Sequence, residues 1–173
     1  MGDILDVIKS RKSVKKYKSD PVPKALIEKI VEAGTYAPSG KNWQSPMILA
    51  VTNKEIRDEL SRLNFMSDSD KRVDPFYGAP VVLVVLADKS KHTYIYDGSL
   101  VMENMLLEAH SLGLGACWIH RAKETFETDE GKAILKKLGI EGEYEGIGNC
   151  IVGYPDMTPL EKPRKENWIY WIE

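Results

Sequence analysis

Cysteine and histidine are scarce in this sequence, at two and three residues. Cys117 and Cys150 lie far apart, with no second thiol or histidine at metal-like spacing. They read as buried reduced side chains rather than a disulfide or a zinc site. His92, His110 and His120 show no ligand spacing either, and His110 reads as a satisfied buried or helix-end histidine. Long apolar runs are also missing. No segment approaches the roughly 20 apolar residues of a membrane helix, and the start, MGDILDVI, has acids where a signal peptide has bases. Net charge is only −2, which gives no overall bias toward nucleic acid or membrane. A cytoplasmic protein is the expectation.

What is present is an ordinary globular composition, 43% apolar and 29% charged. A chain of 173 residues fits a single domain over 1–173 that buries about two-thirds of its extended-chain surface. Asp3 can cap a short helix through Ile8. Residues 19–34, SDPVPKALIEKIVEAG, carry a stronger signal. Pro23 suits a first turn, Leu26, Ile27, Ile30 and Val31 form a stripe, and Gly34 lies near the end. MILAV reads as a strand, and Asn53 caps a helix with Ile56, Leu60 and Leu63 on one face. The polar stretch from Asn64 to Pro80 reads as an irregular, mobile connection. VVLVVLA is too apolar to face water on either side, so it predicts a central strand. YDGSLVMENMLLEAHSLGLG predicts a buried central helix, apolar nearly all round and ended at Gly113. GACWI, TDEGKAILKKLG and GIGNCIVGY then read as strand, helix stopped at Gly139, and strand. Without regular βαβ alternation, the class is α+β.

The tail differs from the rest. PDMTPLEKPRKE is broken by proline and leads into NWIYWIE, strand-like with large apolar groups on both faces. Such a strand at the end of an extended arm predicts addition to a partner subunit's sheet, with an edge strand on its own sheet as the alternative.

Two stretches could carry chemistry. SRKSVKKY places Arg11, Lys12, Ser13 and Lys15 together, a donor set that suits a phosphate monoester; as a plain surface charge run it would need no ligand. Only Tyr17 is available there for base stacking, which argues against a nucleic-acid patch. KPRK, Lys162 to Lys165, is a second basic spot. In YAPSGKNWQSP, the amides of Asn42 and Gln44 each offer a donor and an acceptor, matching the alternating edge of a flavin or a nucleobase. Pro38, Ser39 and Gly40 allow close backbone approach to a flat ring; the plainer alternative is a turn that bonds its own amides. GLGACW and GIGNCI lack the third glycine and the following helix of a dinucleotide fingerprint, and APSGK is neither a phosphate loop nor a nucleophile elbow.

Taken together, RKSVKKY, APSGKNWQSP, GLGACWI and GYPDMTPLEKPRK resemble, in order and spacing, the FMN-dependent nitroreductase family, over about Asp3 to Lys165. The resemblance implies an α/β/α sandwich around a mixed, mainly antiparallel sheet, dimeric, with the arm of about 154–173 packed on the partner. It implies FMN at the subunit interface: Arg11, Lys12, Ser13 and Lys15 at phosphate and ribityl, with Arg164 and its neighbour Lys165 also toward the phosphate. Pro38, Ser39, Gly40, Asn42 and Gln44 correspond to flavin contacts from the other subunit, although Ser45 interrupts the family's N-x-Q-P pattern. Trp118, Ile119 and His120 correspond to the segment along the flavin edge. His120 and Arg121 replace small or acidic residues there.

The implied activity is ping-pong reduction of nitroaromatic, quinone or related acceptors by NADH or NADPH, in which the cofactor carries the hydride and no side chain need act as acid or base. The chain lacks the inserted helical excursion of longer family members, which implies a more open pocket. A non-enzymatic flavin carrier or redox sensor of the same fold is the alternative, and a nucleic-acid module using Lys9 to Lys18 is a third reading.

Overall fold

The computed structural model describes residues 3–65 and 74–173. At its centre lies β2 (Val81–Asp88), where every side chain from Val81 to Ala87 is buried. β-Branched and aliphatic residues fit a pleated surface covered on both sides. β2 pairs antiparallel with β1 (Pro46–Val51) on one side and with β4 (Tyr144–Gly153) on the other. β3 (Gly115–Ile119) pairs antiparallel with β4, giving the order β1-β2-β4-β3.

Strand alternation sends successive side chains into two cores. Leu83, Val85 and Ala87 meet Ile27 and Ile30 of α2 (Lys24–Thr35) and Val101, Met102 and Met105 of α4 (Tyr94–Ser111). Val82, Val84 and Leu86 meet Leu60 of α3 (Lys54–Asn64), Phe126 of α5 (Ala122–Glu127), and Ile134 and Leu135 of α6 (Asp129–Lys137). The result is helix, sheet, helix. Each fully buried Val, Leu or Phe contributes about 1.5–3 kcal/mol.

Local signals fix the helix ends. Asp3 accepts from the Leu5 amide to begin α1 (Ile4–Ser10). Asn53 Oδ1 accepts from the Ile56 amide at 2.9 Å, and Thr128 Oγ1 from the Gly131 amide at 3.0 Å. Lys136 and Lys137 sit in the last turn of α6, where the helix dipole favours cations, and Gly139 stops it at φ 69°.

Several expectations need correction. α4 is not buried all round: Ile95, Tyr96 and Leu100 are 47%, 71% and 44% exposed. α5 has no counterpart in the sequence pattern, because six residues are too few to show a period. The strand ladders are antiparallel throughout, and the parallel component reduces to one isolated bridge, Ser13 with Ala116. NWIYWIE forms no strand in the single chain, and from Trp168 to Ile172 the side chains are 63–100% exposed. The tail adds no strand to the four of the sheet in this chain. Of the connection from Asn64 to Pro80, residues 66–73 lie outside the described residues. From Asp74 the chain is anchored. The Arg57 guanidinium pairs with Asp74 and donates from Nε to Ala79 O at 3.0 Å, and Ser61 Oγ donates to Asp74 at 2.6 Å.

β4 also contains a very close approach between the sheet and α5. A bulge at Ile147 separates Gly146 from Gly148 in the β2 register. A Cβ on Gly146 would stand 2.3 Å from the backbone C and O of Ala122. Neither atom can turn aside. Gly146→Ala is therefore expected to lower stability by about 1–3 kcal/mol, the range for overpacking against a rigid neighbour. Urea denaturation with an unchanged slope checks this; a midpoint within error of the parent would disprove it.

Candidate functional site

The basic segment begins where α1 ends. After Arg11 the chain runs extended beside β3, with the Val14 amide donating to Ala116 O at 3.0 Å and Val14 buried beneath. Tyr17 donates from its hydroxyl to Val14 O at 2.7 Å, and burial pushes its phenol well up, so it stays protonated. These contacts fix the cationic residues along one margin of the sheet.

Arg11 and Lys12 line a cavity of about 720 Å³ with Ser10, His110, Met157 and Glu161. Asp6 and Lys9 also face it. His110 Nε2 lies 2.7 Å from Ser10 Oγ, joining α4 to α1. Burial first, then the charges of Arg11 and Lys12, holds the imidazole below its ordinary range. The pair is no hydrolytic dyad, because Ser10 Oγ also stands 2.6 Å from Asp6 O and gives its proton to the helix backbone.

Ser13 and Lys15 face a second cleft, of about 510 Å³, with Trp118, Ile119, His120 and Asn64. Asn64 is 3% exposed, at the C-terminal end of α3. Its Oδ1 accepts from Asn149 Nδ2 at 3.2 Å and from Thr125 Oγ1 at 3.4 Å, and Asn149 Nδ2 also reaches Ile119 O at 3.4 Å. A buried amide network thus holds the end of β3 against α3 and α5. Arg121, the next residue but one, takes φ 77° and starts α5.

The loop Pro38–Gln44 folds around a single 3-10 turn, Gly40–Asn42. Lys41, Asn42 and Gln44 all adopt positive φ, at 51°, 56° and 49°, conformations that cost non-glycine residues about 1–2 kcal/mol each. Gln44 donates from its backbone to Ser39 Oγ at 2.9 Å and from its side chain to Asn42 Oδ1 at 3.2 Å. Asn42 and Gln44 nevertheless remain exposed. Beneath the loop, buried Asp97 of α4 accepts from the Gly40 amide at 3.0 Å, from Ser45 Oγ at 3.0 Å and from Thr93 Oγ1 at 2.9 Å. A Cβ on Gly40 would fall 2.4 Å from Thr93 Oγ1. Trp43 stacks edge-on to His92, ring centroids 4.9 Å apart.

Within one chain these parts do not converge. Arg11 and Lys12 share the first cavity, Ser13, Lys15, Trp118, Ile119 and His120 the second, while Pro38, Ser39 and Gln44 border a third, of about 250 Å³. Arg164 and Lys165 are exposed on the arm and line none of them, although Glu161 just before them reaches the Arg11 cavity. Lys165 Nζ lies 4.8 Å over the Trp168 ring. Asn64 and Asp97 escaped the sequence reading. An amide on the buried stripe of α3 and a lone acid in the first turn of an apolar helix were the signals available.

Chemically, the arrangement offers cationic donors, exposed amide edges and close backbone approach. Among the described residues it offers no activated cysteine: Cys117 and Cys150 are buried, and burial pushes the Cys150 thiol far up. Among the described residues, no three His, Cys, Asp or Glu side chains stand where they could hold a metal.

The family model of the nitroreductase family matches residues 8–67 and 62–154, and the chain belongs to that family. A Methanothermobacter thermautotrophicus protein provisionally named NADH dehydrogenase/NAD(P)H nitroreductase is 34% identical, covering 92% of this chain and 87% of its own. The Vibrio harveyi NADPH-flavin oxidoreductase is 25% identical over 95% of this chain and 70% of its own. Among solved structures, a Bacteroides fragilis nitroreductase with bound FMN superposes with a TM-score of 0.90 at 29% identity, both chains covered in full.

The His110 environment gives a direct check on the cationic cavity. Arg11→Gln removes one of the charges that hold the imidazole down, so its pKa is expected to move up toward about 6.5, the ordinary value. Proton NMR titration of the His110 ring reads this. An unchanged or lower value would remove Arg11 from the cavity.

Proposed function

We propose that this chain is an FMN-dependent oxidoreductase, linked to NADH or NADPH, that reduces nitroaromatic, quinone or related small acceptors. It works as a cytoplasmic homodimer with the cofactor between subunits. The observation that carries this reading is the separation of the site within a single chain. Cationic residues and amide loop line different cavities, while a large apolar arm stays uncovered. Two copies related by a two-fold axis let the loop of one approach the cationic margin of the other. The names of the relatives support the same conclusion.

The residues fit the cofactor. Arg11 and Lys12 face an open cavity and form no ion pair among the described residues, which suits a dianionic phosphate. Ser13 adds a hydroxyl, and Arg164 and Lys165 bring further charge from the arm. Asn42 and Gln44 present the donor and acceptor pattern that a flavin's pyrimidine edge requires. Pro38, Ser39 and Gly40 let backbone approach the ring, and Trp118, Ile119 and His120 border the neighbouring cleft.

When bound, FMN would supply the hydride chemistry that links a nicotinamide to the acceptor. The chain's own part is placement and charge. Lys15 and Arg11 stabilise negative charge that develops beside them on reduction. The buried amides of Asn64 and Asn149 keep the end of β3 from moving. No side chain here has to exchange a proton with substrate.

Purified protein is expected to be yellow, dimeric and reduced anaerobically by NADH or NADPH in stopped flow, with reoxidation by nitro or quinone acceptors. Colourless protein that ignores added FMN would overturn the reading, and salt-sensitive retention on DNA would favour a nucleic-acid module. A yellow protein inert to both nicotinamides would leave a flavin carrier. Lys15→Met is expected to weaken FMN binding about tenfold, the loss of one charge-assisted contact, or to lower the flavin midpoint potential. Unchanged affinity and potential would take Lys15 out of the site.

A further inference from the structure

We propose that Asp97 is the positioning residue that holds the Gly40–Gln44 turn in its ligand-ready shape, an inference that rests on the flavin reading given above. The carboxylate is 3% exposed. Both of its oxygens are engaged, Oδ1 by the Gly40 amide at 3.0 Å and Oδ2 by Ser45 Oγ at 3.0 Å and Thr93 Oγ1 at 2.9 Å. No cation pairs with it among the described residues. A buried anion without a counter-ion is costly. Its compensation is the set of three donors together with its place in the first turn of α4, where the helix dipole favours negative charge.

The loop needs this anchor. Three of its residues hold positive φ without being glycine, and the strain persists only where surroundings over-determine the backbone. The bonds within the loop itself, from Gln44 to Ser39 and to Asn42, are exposed and so compete with water. The contacts to the Asp97 carboxylate are more shielded, at Oδ1 and Oδ2, and they come from both sides of the turn. One donor precedes the strained residues, at Gly40; the other follows them, at Ser45. Asp97 therefore closes the turn as a clasp closes a loop of cord, and Thr93 fills the space that a side chain at position 40 would take. The Ser45 carbonyl meanwhile accepts from the Asp88 amide at 3.1 Å, so the clasp is tied to the end of β2.

Three variants test this: Asp97→Ala, Asp97→Asn and Ser45→Ala. The measurements are amide hydrogen exchange at Gly40, FMN affinity, and the visible spectrum and midpoint potential of bound flavin. Asp97→Ala is expected to speed Gly40 exchange and weaken FMN binding, each by about ten- to a hundredfold, the equivalent of losing charge-assisted bonds. Asp97→Asn keeps an acceptor for Gly40 and should recover most of the loss, with Ser45→Ala between the two. A change in flavin spectrum and potential separates positioning from general loosening, which would lower the melting temperature and leave both unmoved. Should Asp97→Ala not fold, Ser45→Ala carries the test. Gly40 exchange and FMN affinity within about twofold of the parent, against the roughly tenfold effect of one such bond, with an unmoved potential, would overturn the inference. Parent protein that binds no FMN would instead sink the functional reading. In that case Gly40 exchange still decides whether Asp97 clasps the turn.

Discussion

Double-sided burial of β2 is the constraint on which the remainder of the molecule depends. A strand that can face water on neither side needs helices over both faces and strands along both edges. From this follow the two cores, the assignment of α2 and α4 to one layer, and that of α3, α5 and α6 to the other. The site inherits its positions from the same frame. The amide loop enters β1, which pairs with β2 from Pro46 onward. His120 leaves β3, whose register on β4 is set through Trp118 and Cys150. The candidate side chains therefore sit at strand ends, where backbone groups are free of the ladder but their origins are fixed.

The polar interactions divide by depth. Buried ones are amide contacts, a satisfied anion or a paired cation: Asn64 with Asn149 and Thr125, Asp97 with its three donors, and Arg57 with Asp74 and Ala79 O. Cations without an ion pair among the described residues stay near the surface, at Arg11, Lys12 and Lys15. That division suits an enzyme whose protein part places and polarises rather than transfers protons. Buried networks hold geometry at low dielectric, while cations in open cavities keep their hydration until an anion replaces it.

Legibility followed the strength of local physics. Val81 to Ala87 could be read as a central strand because no other place accepts seven consecutive apolar residues of that kind. Asn53 and Gly139 announced helix ends through chemistry confined to one turn. The α4 pattern misled, since a helix apolar on nearly all sides looks the same whether its second face meets its own chain or something else. Asp97 and Asn64 were invisible for a related reason: their partners lie 57 and 85 residues away in sequence. Of the residues read as a site, the segment Arg11–Lys15 and the end of β3 do meet along one margin. The loop and the KPRK segment do not join them, and sequence order carries no information on distance between copies of a chain.

The exposed face of α4 and the arm raise one question between them. Trp168, Ile169, Tyr170, Trp171 and Ile172 present consecutive apolar side chains to water, and burying each would contribute about 2–3 kcal/mol. The arm cannot return to its own sheet easily. Pro155, Pro159 and Pro163 deny it both helix and interior strand, and the β3 side of the sheet is already occupied by the Ser13 bridge. In a proposed two-fold pair, the contacts form twice for one loss of translational freedom. Reciprocal arms then cover what each subunit leaves bare, and the same crossing carries Arg164 and Lys165 away from their own chain toward a second one. On this argument assembly would bring part of the proposed phosphate site with it, because the apolar surface that would drive pairing and the Arg164 and Lys165 charges lie on the same arm.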